Sequence, residues 1–181
     1  MTQQPQAPER FPDRPLNEAE ERWWVAKVKP RQEKLLAVDF FQEGIEYYLP
    51  LYVKNTPRPG TSHPRLFHVP LFPGYIAFAQ NQPHAIYRSG RVVNLIEIKH
   101  QQRFIHELNQ VYTALSSRAP LEPVTEQFPE GSTVKIIHGP FAGIEGVVVK
   151  SASSLQLMLS VECLGRAALK IERAWIRGVE E

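Results

Sequence analysis

Cysteine is almost missing: Cys163 stands alone among 181 residues. It cannot form an intrachain disulfide, which fits a reducing cytoplasm, and it leaves no thiolate cluster to hold a metal. No run of about 18 apolar residues occurs, so no segment reads as a membrane-spanning helix. The opening stretch MTQQPQAPERFPDRPLNEAEER has no apolar centre and does not read as a secretory signal. Also lacking is a Lys-Ser/Thr pair behind the glycines of HGPFAGIEG, His138 to Gly146. A Walker loop needs that pair to reach the phosphates and the metal, and here Val147, Val148 and Val149 follow instead. A dinucleotide fingerprint would open a helix, whereas GVVVK reads as a strand. These glycines therefore serve turns, and no cofactor is expected.

The histidines lack ligand spacing. His106 has no histidine four residues on and no acid at zincin distance, so with His68 and His100 it makes no metal site. Cys163, read as lying on the inward face of a strand, is expected to be inert. No catalytic residue emerges, and the chain reads as a binding protein rather than an enzyme.

Acid is unevenly distributed. Residues 1–22 carry three Arg and five acids, whereas residues 23–117 carry eleven Lys and Arg against six acids and hold five of the six histidines. Residues 128–181 balance six against six. A positive bias confined to one segment points to nucleic acid nearby, at a strength too low for tight backbone binding alone.

The pattern along the chain divides it into four stretches. Residues 1–22, with Pro5, Pro8, Pro12 and Pro15 among polar residues, are expected to be a disordered extension. Residues 23–117 form the first domain. RWWVAKVKP reads as a strand stopped by Pro30, and RQEKLLAVDFFQEG as a helix stopped by Gly44. In IEYYLPLYV the apolar residues alternate from Ile45 to Val53, the period of a strand, with Pro50 at an edge or bulge. KNTPRPGTSHPR reads as a long exposed loop. A strand follows, broken at Pro70 and at the Pro73-Gly74 turn. A short helix or turn covers Gln82 to Ser89, RVVNLIEI makes a further strand, and QQRFIHELNQVYTAL closes the domain as a helix. The order β-α-β-β-(α)-β-α suits a ferredoxin-like α/β sandwich. Residues 118–127, RAPLEPVTEQ, read as a linker. Residues 128–181 are strand and turn throughout, with strict alternation from Leu155 to Leu164, and must curl into a small barrel to bury enough surface.

GSTVKIIHGPFAGIEGVVVK resembles a KOW motif, and LGRAALKIE resembles the Gly-Arg turn further along such domains. RWWVAKVKPRQEK, YYLPLY and PLFPGYIAFA resemble the NGN domain of the NusG family of bacterial transcription elongation factors. The resemblance spans residues 22–181 in order. It implies an α+β chain, an NGN domain joined to an SH3-like KOW barrel. RVVNLIEIKHQQRF runs into its helix without the Gly-rich segment usual in housekeeping members, and the Pro-rich extension is not a fixed family feature. Both departures point to a specialised, operon-linked paralog acting on pausing or termination.

The resemblance also implies partners. The NGN domain is expected to hold the clamp helices of RNA polymerase through Trp23, Trp24, Leu71, Phe72 and Tyr75, with Tyr47 or Tyr48 beside them. Lys27, Lys29, Arg31, His84, Arg88 and Arg91 are expected near the non-template DNA strand, since Arg serves phosphates bidentately and stacks on unpaired bases. The KOW domain is expected to recruit Rho or a small-subunit ribosomal protein through Phe141, Glu145, Leu164, Gly165 and Arg166. A cytoplasmic monomer is the family expectation. The competing reading is a ribosome- or RNA-binding KOW protein, against which the neutral second domain speaks.

Overall fold

The computed structural model describes residues 7–56, 60, 65–117, 121–123, 133–136, 142–150, 155–171 and 176–178. The chain divides into two compact units, Met1–Arg14 with Ala19–Glu97, and Pro15–Glu18 with Ile98–Glu181. The mixed α/β class read from the sequence holds.

The first unit contains strands β1 (Arg10–Phe11), β2 (Trp23–Val28), β3 (Glu46–Tyr48), β4 (Leu51–Thr56), β5 (Arg65–Pro70), β6 (Tyr75–Ala79) and β7 (Val92–Glu97), with helix α1 (Glu33–Glu43) and a 3-10 helix at Pro83–Ser89. Five of the strands form one antiparallel sheet in the order β1-β3-β6-β2-β7. Alternation along β2 sends Ala26 and Val28 to the face that α1 covers, where they join Leu36, Ala37, Phe40, Ile76 and Phe78 in one buried cluster. Burying a side chain the size of Phe40 contributes roughly 1.5–3 kcal/mol. Gly44 ends α1 in the left-handed region, φ 70°, with its N–H turned back to the carbonyls of Phe40 and Phe41. This is the stop that the sequence predicts.

Two expectations need correction. The alternating run from Ile45 to Val53 is not one strand. Pro50 lacks a ladder donor, so β3 stops at Tyr48, and β4 leaves the main sheet to pair with β5 as a separate two-stranded ribbon. The Pro50 carbonyl accepts the Leu71 N–H at 2.8 Å, which fixes where the ribbon rejoins the body.

Residues 7–22 are also not a disordered extension. β1 adds to the sheet edge through Arg10↔Tyr48 and Phe11↔Tyr47, and Leu49 donates its N–H to the Glu9 carbonyl at 2.7 Å. Phe11 sits edge-on to Phe41 at 5.1 Å, and Arg14 pairs with Glu46 at 2.6 Å. Prolines that deter a helix are tolerated in a short edge strand, so composition misled here.

The second unit holds a 3-10 turn at Leu16–Glu18, helix α2 (Gln101–Ser116) and strands β8 (Leu121–Pro123), β9 (Thr133–Ile136), β10 (Glu145–Lys150), β11 (Leu155–Val161), β12 (Gly165–Ile171) and β13 (Ile176–Gly178). The strands form one sheet in the order β13-β9-β10-β11-β12-β8. β9 to β12 run as a meander, and β13 returns to β9, the connectivity a small barrel requires. β8 turns part of the expected linker into a strand on β12. On α2 the buried residues are Phe104, Ile105, Leu108, Val111 and Ala114, and the helix packs against β11. The domain boundary read at residue 117 follows this helix, whereas the compact units divide ahead of it. Among the described residues no helix is long and apolar enough to cross a membrane.

Tyr47 is fully buried and donates its hydroxyl to the Pro8 carbonyl at 2.6 Å, and burial pushes its pKa up to about 12. A raised folded pKa favours the native state below the unfolded pKa of about 10 and loses that contribution as pH climbs toward 12. An absorbance titration of the phenolates is expected to show one late tyrosine that vanishes in Tyr47→Phe. The same variant is expected to unfold about 1 kcal/mol more easily in urea, because the Pro8 carbonyl loses its donor.

Candidate functional site

The LFPGY turn joins β5 to β6, and its geometry is set by glycine and one carboxylate. Gly74 has φ 85°, a conformation that a side chain would strain. Its N–H donates to Glu33 Oε1 at 2.7 Å, and its carbonyl accepts the Val28 N–H, also at 2.7 Å. Glu33 opens α1 and is only 6% exposed, so a buried negative charge sits at the helix N-terminus, where the dipole favours it. Strand β2, helix α1 and the turn are thereby tied together.

This geometry draws most of the expected apolar contacts inward. Trp23 and Tyr48 are 1% exposed, Leu71 0% and Phe72 4%. As folded, these four serve the interior and present no anchor, contrary to the expectation for the turn. For Trp23 and Tyr48 the physical reason is the sheet itself: Trp23 pairs with Ala79 and Tyr48 with Ala77, both buried, in the middle of the strand order. Tyr47 lies in the α1-side cluster. Trp24 and Tyr75 are half-buried and keep accessible surface.

The basic candidates separate into two groups. Lys27, Lys29 and Arg31 are exposed at the end of β2 and the loop after it, and Arg31 holds φ 62°, unusual for a residue other than glycine. His84 and Arg88 are exposed on the 3-10 helix, where His84 stacks with Tyr87 at 6.2 Å and Arg88 Nε donates to the Ala85 carbonyl at 3.1 Å. The two groups meet where Lys29 donates its N–H to the Arg91 carbonyl at 2.9 Å. Arg91 itself is committed. Its guanidinium reaches Asp39 at 2.7 Å and Gln32 at 2.6 Å, so it anchors the loop to α1 instead of standing free for a phosphate. Sequence reasoning missed Asp39, Gln32 and Glu33 as partners. Glu33 carried a faint signal as an acid in a first helical turn.

In the second unit the strict alternation ends at Val161. Residues 162–164 are a turn, in which Cys163 is exposed at φ 63° and Leu164 is 6% exposed. Cys163 is therefore not inward on a strand. Burial, Glu162 and Glu107 together raise its thiol pKa above the ordinary value, which keeps it protonated. Leu164 is not the exposed contact that its place before Gly165 suggested. Gly165 and Arg166 are exposed, and Arg166 leans on Met158 Sδ at 3.7 Å. Glu145 is paired with Lys135 at 2.9 Å, which lowers its pKa, with a further contribution from His106. Phe141 lies outside the described residues. Gly143, at φ 95°, donates to the Ile136 carbonyl at 2.8 Å, the turn role expected for it.

Helix α2 supplies two acceptors to this unit that periodicity could not show. Glu107 Oε2 accepts the Glu162 N–H at 2.7 Å while Oε1 takes Arg103 at 2.9 Å, and Gln110 Oε1 accepts the Glu145 N–H at 3.1 Å. Among the described residues no group of three or more His, Cys, Asp or Glu is arranged to hold a metal ion.

The family model described as "Transcription termination factor nusG" matches residues 21–127, more than half of the chain. The chain belongs to the NusG family. The match takes in every polymerase- and DNA-facing candidate named above and stops short of the second-domain candidates. No curated protein sequence matches the chain. Among solved structures, the chain is similar to one titled "Domain interaction in Thermotoga maritima NusG", at 18% identity and a TM-score of 0.46, over 89% of this chain and 98% of that one. It is also similar to "Crystal Structure of MjSpt4:Spt5 complex conformation B", at 18% identity and a TM-score of 0.28, over 88% of this chain and 97% of that one.

For this NusG-family chain, Glu33→Ala is expected to lower stability by about 1.5–3 kcal/mol, the range for a hydrogen bond to a charged group. Chemical denaturation would measure it, with amide exchange at Gly74 rising in parallel. Glu107→Ala is expected to speed exchange of the Glu162 amide, whereas Glu107→Gln, which keeps an acceptor, restores slow exchange.

Proposed function

We propose that the protein is a non-enzymatic transcription elongation factor that binds RNA polymerase through its first domain and a second partner through residues 128–181. The family match over residues 21–127 carries this reading. Half-buried Trp24 and Tyr75 are the apolar contacts for the polymerase clamp helices, because each combines a fixed aromatic body with open surface. Exposed Lys27, Lys29, Arg31, His84 and Arg88 face the non-template DNA strand, and their cations supply the electrostatic share of that contact. Gly165 and Arg166, exposed beside the turn at 162–164, meet the second partner, Rho or a small-subunit ribosomal protein. The ordered N-terminal strand β1, an addition to the expected sheet, supports a specialised paralog.

Purified RNA polymerase is expected to be retained by the immobilised full chain. Tyr75→Ala is expected to weaken retention about tenfold, in the range of an interface hot spot, while Arg166→Glu keeps polymerase and loses the second partner. Failure of the wild type to retain polymerase would overturn the reading.

A further inference from the structure

The β4–β5 ribbon is paired within itself and, among the described residues, with no third strand. From Val53 to Thr56 and from Arg65 to His68 every residue is exposed, and only Leu51, Tyr52, Val69 and Pro70 at its root are half-buried. A two-stranded ribbon with open faces is marginal on its own, so its direction is decided at the root.

The root is also where the ladder breaks. β3 ends at Tyr48 and β4 begins at Leu51, and Pro50, which has no N–H, lies between them. The two donors that flank this proline go to one residue of the N-terminal segment. The Leu49 N–H reaches the Glu9 carbonyl at 2.7 Å, and the Leu51 N–H reaches the Glu9 carboxylate. Glu9 thus spans the break, with its main chain on the body side and its side chain on the ribbon side. Partial burial raises its carboxyl pKa against the opposing pull of His68, the Leu51 amide and Lys34, so groups from β5 and α1 face the same carboxylate. Lys34 Nζ in turn donates to the His68 carbonyl at 2.5 Å.

The residues around Glu9 are seated on the body. Ala7 packs against the buried cluster under α1, the Pro8 carbonyl accepts the Tyr47 hydroxyl at 2.6 Å, and Arg14 pairs with Glu46 at 2.6 Å. Ala7 and Pro8 also line a cleft of about 1730 Å³ within the first unit, together with Leu49 and Leu51, and Tyr52, Lys54 and Phe67 enter that cleft from the ribbon.

We propose that residues 7–14 are a strap that locks the angle of the ribbon to the sheet, with Glu9 as the positioning residue, and that release of the strap lets the ribbon swing as an arm and widens the cleft. Without Glu9 the Leu71 N–H still reaches the Pro50 carbonyl at 2.8 Å, and Lys34 still reaches His68. These are point contacts about which a ribbon can turn, whereas the pair on either side of Pro50 fixes its direction. The docked and the released strap are then two settings of one surface, and a ligand that binds one setting better draws the population toward it. The inference rests on the strap and the ribbon root, not on polymerase binding.

The test uses the full chain with Cys163→Ser as background and spin labels at Asn55→Cys on the ribbon and Gln42→Cys on α1, both exposed positions. Electron double resonance reads the distance between the labels, and amide exchange is followed at Leu51 and, for comparison, at Val25 in β2. The background chain is expected to give one narrow distance. Glu9→Ala is expected to broaden it and to speed Leu51 exchange about tenfold through the loss of one charge-assisted hydrogen bond, with Val25 unchanged. Glu9→Gln keeps an acceptor and is expected to restore the slow exchange and the narrow distance. An unchanged distance in Glu9→Ala would overturn the proposal, whatever the exchange rate. Faster exchange at Val25 in step with Leu51 would overturn it too, since Glu9 would then support the whole unit and not the ribbon. So would a broad distance in the background chain, in which the strap is present and would be failing to hold. Polymerase retention is read separately on the same chains, so failure of the strap and failure of the polymerase reading are told apart.

Discussion

A single buried carboxylate organises the first unit. Glu33 begins α1, lies out of water and receives the Gly74 N–H. Two things make that burial tolerable: the helix dipole at its N-terminus and a charge-assisted hydrogen bond from a turn whose φ of 85° at Gly74 favours glycine. Gly74 in turn holds Val28 at the end of β2. The position of α1, the closing of β2 and the start of β6 are thus set by one contact. The spacing between Lys27, Arg31 and Tyr75 follows from it, since all three lie within two residues of Val28, Glu33 or Gly74.

The elements were largely legible, because local periodicity and stop residues decide them. Gly44 ends α1 where the sequence puts the end, and the apolar spacing of Phe104, Leu108 and Val111 marks the buried face of α2. What composition could not settle was tertiary. Pro50 announces a break, but nothing local says that β4 then leaves the sheet to make a ribbon of its own. The N-terminal prolines resemble those of a disordered tail, and only the free edge of β3, a distant feature, gives them a place.

The site was less legible than the fold. Family likeness singles out residue types and positions, and burial then sorts them. Aromatic residues on a strand buried on both faces read the same as aromatic residues awaiting a partner, so Trp23 and Phe72 could not be told from Trp24 and Tyr75. An arginine in a basic run looks free until its acid is found 52 residues away, as with Arg91 and Asp39. In the second unit the alternation carried past Val161 placed Cys163 and Leu164 on faces of a strand that had already ended. One side-chain acceptor from α2, Glu107, then holds that turn, a nonlocal arrangement with no sequence signature.

The two-residue strand β1 also changes how the sheet meets other chains. An unpaired strand edge offers a row of donors and acceptors to any extended segment that comes near. On the β3 side that row is taken by Arg10 and Phe11, and Pro12, which has no N–H to offer, follows at once. The sheet therefore ends there in a blunt margin that resists further growth. Among the described residues β7 is the outer strand at the opposite side, with no further strand paired to it. The molecule thus has a direction to its stickiness: self-association by strand addition is discouraged on one flank, and the burden of guarding against it falls on the other.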